Sequence, residues 1–310
     1  MTGIAAAVLA GDRRATARAI SAVENDAPEA VALLRAIHAR LGRARVLGIT
    51  GPPGAGKSTL TSALIGEYLA RGSRVAVLAF DPSSPISGGA ILGDRIRMGA
   101  HQSHERVFIR SLASRGYPGG LSRTASRAID VLDAAGYDVV IVETVGAGQS
   151  DVEIRLLADT RVVICPAGLG DEIQAIKSGL LEIADIYAVN KADSPLAERT
   201  EGELRSMIGL REYPGWVPRI VRTVATTGDG VAELVEAISA HEAAGGVRVG
   251  PRERVRRLIA AGVSDWVKGR MESFSSPEFD ALCEAYAKGE VGMRDAWRRA
   301  LELAFAQERK

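Results

Sequence analysis

From residue 45 to residue 225 the chain alternates two hydrophobic patterns. Short apolar runs, Val46–Thr50, Val75–Phe80, Val107–Ile109, Val139–Val142, Val162–Cys165, Ile186–Val189 and Ile220–Val224, are each bounded by turn residues. Continuous runs of this length suit strands buried on both faces. Between them lie segments with helical spacing, among them Leu60–Ala70, Leu121–Ala135 and Val231–Ala240. The alternation predicts an α/β fold: a mostly parallel, doubly wound sheet with helices on both sides.

The flanks carry only the helical pattern. Val31, Leu34, Ile37 and Leu41 recur at three- and four-residue spacing, and Gly11-Asp12 and Asn25–Pro28 read as breaks between short helices. Beyond Gly245-Gly246, Val255, Leu258, Ile259, Val263, Trp266, Val267 and Met271 form one apolar stripe, and Met293, Trp297, Leu301 and Phe305 mark a second helical block. Three segments are expected: a helical extension over 1–43, an α/β domain over 44–245 and a helical arm over 246–310. Amphipathic helices with so few partners must pack on the α/β domain or on a second copy of the chain.

Hydrophobic residues make up 46% and charged residues 25% of the 310, an ordinary globular balance that argues against disorder. A formal net charge of +1 supplies no global field toward nucleic acid or an anionic membrane, so neither is an expected partner. Cys165 and Cys283 stand apart with no CxxC pattern, which argues against a disulfide framework and a cysteine zinc site. No apolar run approaches the roughly 18 residues of a membrane span. The start, MTGIAAAVLAGDRR, lacks a basic segment ahead of its apolar stretch and reads as an amphipathic helix, not a signal peptide. A cytoplasmic protein is expected.

The chemistry begins at Gly51-Pro52-Pro53-Gly54-Ala55-Gly56-Lys57-Ser58-Thr59, a phosphate-binding loop placed after a predicted strand and opening a predicted helix. Its glycines allow the tight turns that converge N–H groups on a phosphate. Lys57 offers a point charge to the β- and γ-oxygens, and the Ser58 hydroxyl can ligate Mg²⁺. The strand Val139–Val142 runs into Glu143-Thr-Val-Gly146, where many GTPases carry Asp-x-x-Gly. Glu143 is one methylene longer and suits a water-mediated contact to the metal, and the Gly146 amide can sense the γ-phosphate. Asp81 opens Asp-Pro-Ser-Ser-Pro85 at a strand's carboxyl end; spacing alone leaves it open between a metal ligand and a turn-forming Asp-Pro.

Asn190-Lys191-Ala-Asp193 follows the strand Ile186–Val189. An aspartate accepts guanine N1–H and N2–H₂ together, a donor pair adenine lacks, so discrimination against ATP can be large. Lys191 would lie along the base, and Asn190 would brace the loop or meet the base edge. Thr223-Val224-Ala225 is the candidate for the last loop over the base. The bound nucleotide is therefore expected to be GTP or GDP, with Mg²⁺.

Together GPPGAGKST, LAFDPSSPISGGAILGDRIRM, ETVGAGQSD, PAGLGDEIQAIKSGLLEIAD and NKAD resemble the MeaB/ArgK-type GTPases, which include the methylmalonic aciduria type A protein. The resemblance implies a G-protein chaperone that hydrolyses GTP while gating adenosylcobalamin loading and protection of an acyl-CoA mutase, most of all methylmalonyl-CoA mutase. It implies Asp81, Asp94 and Glu143 around the metal, with Lys57, Glu143 and Asp94 serving catalysis. It also implies a switch loop over Gly168–Lys177 and a C-terminal arm that pairs two copies into a homodimer. Gln149 is a candidate to position the attacking water, though a plain polar loop residue reads equally well. Two alternatives stand beside this: a metallochaperone GTPase for nickel enzymes, for which His101-x-x-His104 is the only ligand cluster, and an ATP-dependent small-molecule kinase, which NKAD argues against.

Overall fold

The computed structural model describes residues 2–81, 99–113, 120–144, 154–168, 181–245 and 249–305. It falls into two compact units, Met1–Arg256 and Arg257–Lys310.

The first unit is built on a seven-stranded sheet: β1 (Arg45–Thr50), β2 (Val75–Asp81), β3 (Val107–Ala113), β4 (Val139–Glu143), β5 (Thr160–Pro166), β6 (Ile186–Asn190) and β7 (Arg219–Thr223). All neighbours pair in parallel, in the order β3-β2-β4-β1-β5-β6-β7. Side chains of a strand alternate between faces. Leu47, Ile49, Val75 and Val77 thus join one core with Leu60, Leu64 and Ile65 of α4 (Lys57–Ala70) and Leu234 and Ile238 of α7 (Val231–Ala243). Val46, Ala76, Leu78 and Phe80 join the opposite core, with Ile129 and Leu132 of α5 (Gly120–Ala134) and Leu204 of α6 (Ala197–Gly209). The doubly wound sheet is present as predicted. β3 runs on to Ala113, past the apolar run that ends at Ile109, because an edge strand tolerates polar positions: Arg110 there reaches Ser21 and Glu24.

The N-terminal helices α1 (Thr2–Leu9), α2 (Arg13–Glu24) and α3 (Pro28–Ile37) belong to this second core through Val8, Ile20 and Ile37. Asp12 caps α2 by accepting the Ala15 N–H at 2.6 Å, and Pro28 opens α3, where its missing N–H costs nothing. The buried Asp133 carboxylate accepts the N–H groups of Gly42, Arg43 and Ala44, holding the chain as it enters β1.

The second unit contains the later part of α8 (Pro251–Ser273), α9 (Pro277–Ala287) and α10 (Met293–Phe305). Trp266 packs on Phe305 with ring centroids 4.7 Å apart, and Arg270 donates to the Ala304 carbonyl. Ile259, Val263 and Trp266 of α8, and Met293, Trp297 and Leu301 of α10, are exposed. Among the described residues no helix is long and apolar enough to cross a membrane.

Candidate functional site

Parallel strands deliver their last residues to one edge of a sheet, where open α/β folds collect ligands. Here that edge gathers Thr50, Asp81, Glu143, Asn190 and Thr223, the terminal or near-terminal residues of β1, β2, β4, β6 and β7.

The chain leaves β1 at Gly51 with φ 151°, packed so closely on β5 that a Cβ would lie 2.5 Å from the Ile164 carbonyl. The loop re-enters helix at Gly56 with φ 89°, where a Cβ would lie 2.4 Å from Asn190 Nδ2. Both positions demand glycine. Ala55 is buried between them, and its N–H donates to the Pro52 carbonyl, while Pro53, Gly54 and Thr59 are exposed. Lys57, buried at the first turn of α4, sends its ammonium back over the loop to the carbonyls of Gly51 (2.8 Å) and Pro52 (3.0 Å). A cation and a helix N-terminus thus meet at one loop, an arrangement suited to phosphate.

Glu143 stands beside Ile49 in the β1–β4 register and is only 2% exposed. Its Oε1 accepts the Ser58 hydroxyl at 2.8 Å and its Oε2 the Thr61 hydroxyl at 2.7 Å. Thr144 donates to the Thr50 hydroxyl at 2.9 Å, tying the next residue to the root of the phosphate loop. A buried set of hydroxyl and carboxylate oxygens fits a hard divalent cation such as Mg²⁺. Asp81 ends β2, and Ala79 of that strand pairs with Glu143, so Asp81 lies two positions further toward the same edge. Asp94, Gly146 and Gln149, and all of the Gly168–Lys177 loop but Gly168, lie outside the described residues.

Asn190 makes the bridge on the other side. Its Nδ2 donates to the Ala55 carbonyl at 2.8 Å, and its Oδ1 accepts the Ala225 N–H at 3.2 Å and the Thr223 hydroxyl at 3.3 Å. One buried amide therefore joins the phosphate loop to the loop after β7. Lys191 takes a left-handed φ of 60°, and Lys191 and Asp193 are exposed at the same edge. Val224 is held by a bridge to Asp229, its N–H donating to the Asp229 carbonyl at 2.9 Å.

Thr61 did not stand out in the sequence, although a signal existed: it lies three residues after Ser58, on the same side of α4. Of the His101 and His104 pair, His104 turns its Nδ1 to the chain itself, accepting the Arg106 N–H at 3.2 Å. Burial pushes the Cys165 thiol up to about 12, which keeps it protonated and poor as a metal ligand. Among the described residues no group of three or more His, Cys, Asp or Glu could hold a metal ion.

The chain as a whole is similar to known proteins. The family model described as methylmalonyl Co-A mutase-associated GTPase MeaB matches residues 16–273. A Pyrococcus abyssi relative, itself named only provisionally as a GTPase, is 47% identical over 91% of this chain and 90% of its own length. The GTPase ArgK of Escherichia coli is 42% identical over 74% of this chain and 72% of its own. Among solved structures, that of a LAO/AO transport system kinase superposes with a TM-score of 0.68 at 28% identity, covering 97% of this chain and 96% of the other.

Proposed function

This chain belongs to the MeaB family of methylmalonyl-CoA mutase-associated P-loop GTPases, and from that premise we propose that it hydrolyses GTP to GDP and phosphate to gate adenosylcobalamin loading and protection of an acyl-CoA mutase. Methylmalonyl-CoA mutase is the foremost client, on the strength of the family's description. The observation that supports the nucleotide assignment is the Asn190 bridge, a hydrogen bond at 2.8 Å from the Asn190–Asp193 segment to the loop that carries Lys57.

In this reading Lys57 and the first N–H groups of α4 offset charge on the transferring phosphoryl group. Asp193 accepts the guanine N1–H and N2–H₂, Lys191 lies along the base, and Val224 and Ala225 close over it. Ser58, Glu143, Asp81 and Asp94 would hold Mg²⁺, which when bound supplies Lewis-acid stabilisation of the phosphoryl oxygens. The test is calorimetry of GDP against ADP with Mg²⁺, for the wild type and Asp193→Asn. A GDP preference lost in the variant supports the assignment; equal or tighter ADP binding refutes it. The client role is checked by co-elution with purified methylmalonyl-CoA mutase in GTP-analogue and GDP states, and no complex in either state would refute it.

We further propose that a second copy of the chain covers the apolar residues of the helical arm. Trp266 is 54% and Trp297 62% exposed, an unusual cost for two such side chains unless a partner shields them. Sedimentation should show a dimer at micromolar concentration and a monomer for Trp266→Ser/Trp297→Ser; a monomeric wild type would dispose of the idea.

A further inference from the structure

We infer that Thr61 is a positioning residue for the metal-side carboxylate: its hydroxyl holds the second oxygen of Glu143, and this is why glutamate, and not the shorter aspartate, fits the end of β4. The inference rests on the reading of Glu143 as a group that serves Mg²⁺.

Ser58 and Thr61 lie three positions apart on α4, a spacing that puts two side chains side by side on one helix face. Glu143 sits on β4, next to β1 in the sheet, with its backbone level with Ile49. From there its side chain spans to both helix residues, accepting from Ser58 at 2.8 Å on one oxygen and from Thr61 at 2.7 Å on the other. All three are buried, Thr61 completely. A buried carboxylate is costly unless its oxygens are matched by donors, and the two hydroxyls supply one for each.

The arrangement has a chemical consequence at Ser58. A serine hydroxyl has one proton and two lone pairs. With its proton directed at Glu143 Oε1, the hydroxyl would meet a cation through its lone pairs. That orientation lasts only while Oε1 stays in place, and a carboxylate held at one oxygen alone can swing about its Cγ–Cδ bond. Thr61 opposes this swing by holding Oε2. A threonine in mid-helix can instead bond back to the carbonyl one turn earlier; here the hydroxyl is given to Glu143. An aspartate at 143 would withdraw the carboxylate by about 1.5 Å, one carbon–carbon bond, and could not meet both hydroxyls.

The experiment titrates MgCl₂ against GDP binding by calorimetry, with a parallel measurement in EDTA. Thr61→Val keeps the shape of the side chain and loses the hydroxyl. Partners behind a metal ligand typically change metal affinity by about 10- to 100-fold. We expect Thr61→Val to raise the Mg²⁺ concentration for half-maximal enhancement of GDP binding about tenfold, with GDP affinity in EDTA unchanged, and Thr61→Ser to restore the wild-type value. Glu143→Asp should raise the Mg²⁺ requirement as well, and adding Thr61→Val to it should cost less than about a further twofold, since the contact is already gone. A wild-type Mg²⁺ requirement in Thr61→Val, an equal loss with and without Mg²⁺, or fully additive effects would overturn the inference. Glu143→Gln separates the two levels: no effect on the Mg²⁺ requirement would refute the metal-side reading of Glu143 itself, whereas a raised requirement beside a silent Thr61→Val would refute the positioning role alone.

Discussion

Asn190→Ala is the substitution that most directly tests how the two halves of the site are joined. The wild-type amide makes a 2.8 Å bond to the Ala55 carbonyl and accepts two longer bonds, from the Ala225 N–H and the Thr223 hydroxyl. The side chain is 2% exposed, so water does not readily replace it. Taking about 1 kcal/mol for the short bond, about 0.5 for each longer one and about 1 for the buried groups left without a partner gives a loss of about 3 kcal/mol. For a unit of this size each kcal/mol lowers the melting temperature by about 2 °C, so the midpoint should fall by about 6 °C. The phosphate loop also loses its brace at Ala55, and GDP affinity should drop at least about tenfold, the equivalent of about 1.4 kcal/mol. Circular dichroism without nucleotide reads the first quantity and calorimetry with GDP the second. Thr223→Val is the control, because it removes one 3.3 Å contact and leaves the bridge. If Asn190→Ala melts no lower than Thr223→Val and binds GDP as tightly as wild type, the bridge does not organise the site.

Asp133→Asn should destabilise the first unit by about 3 kcal/mol in urea unfolding, because an amide cannot accept all three N–H groups of residues 42–44 and turns its own donors toward one of them. GDP affinity should not change, since that contact lies at the amino end of β1; a matching loss of GDP binding would contradict the placement. His241 supplies a pH dependence. Burial holds its imidazole below the ordinary value, and Asp185 at 3.5 Å offsets only part of this. Below pH 6.5 the unfolded chain therefore binds the proton more readily than the folded one, so this contribution to stability is complete above 6.5 and is lost as pH falls toward the folded value. Urea midpoints from pH 8 to 5 should decline more steeply for wild type than for His241→Gln, and parallel curves would refute the assignment.

Much of this protein is legible along the chain because the relevant physics is local. A parallel strand buried on both faces must be apolar throughout, so the runs at Val46, Val139 and Ile186 declare themselves, and a phosphate loop needs its glycines and lysine within one turn of chain. Asn190-Lys-Ala-Asp193 is equally compact. The helical nature of the N-terminal segment also showed in its spacing, but not where it packs: Ile20 and Ile37 share a core with α5 because Asp133 captures the chain just before β1. The strand order was likewise hidden, since pairing β1 with β4 and β5 depends on which crossovers bury the most apolar surface, a property of the assembled sheet. That order alone sets Glu143 level with Ile49 and within reach of Ser58 and Thr61, and brings Asn190 to Ala55 across 135 positions of sequence. Residue types and their local spacing determined which chemistry the chain can carry, whereas the partners of each buried polar group were decided only when the strands closed side by side and every donor had to find an acceptor away from water.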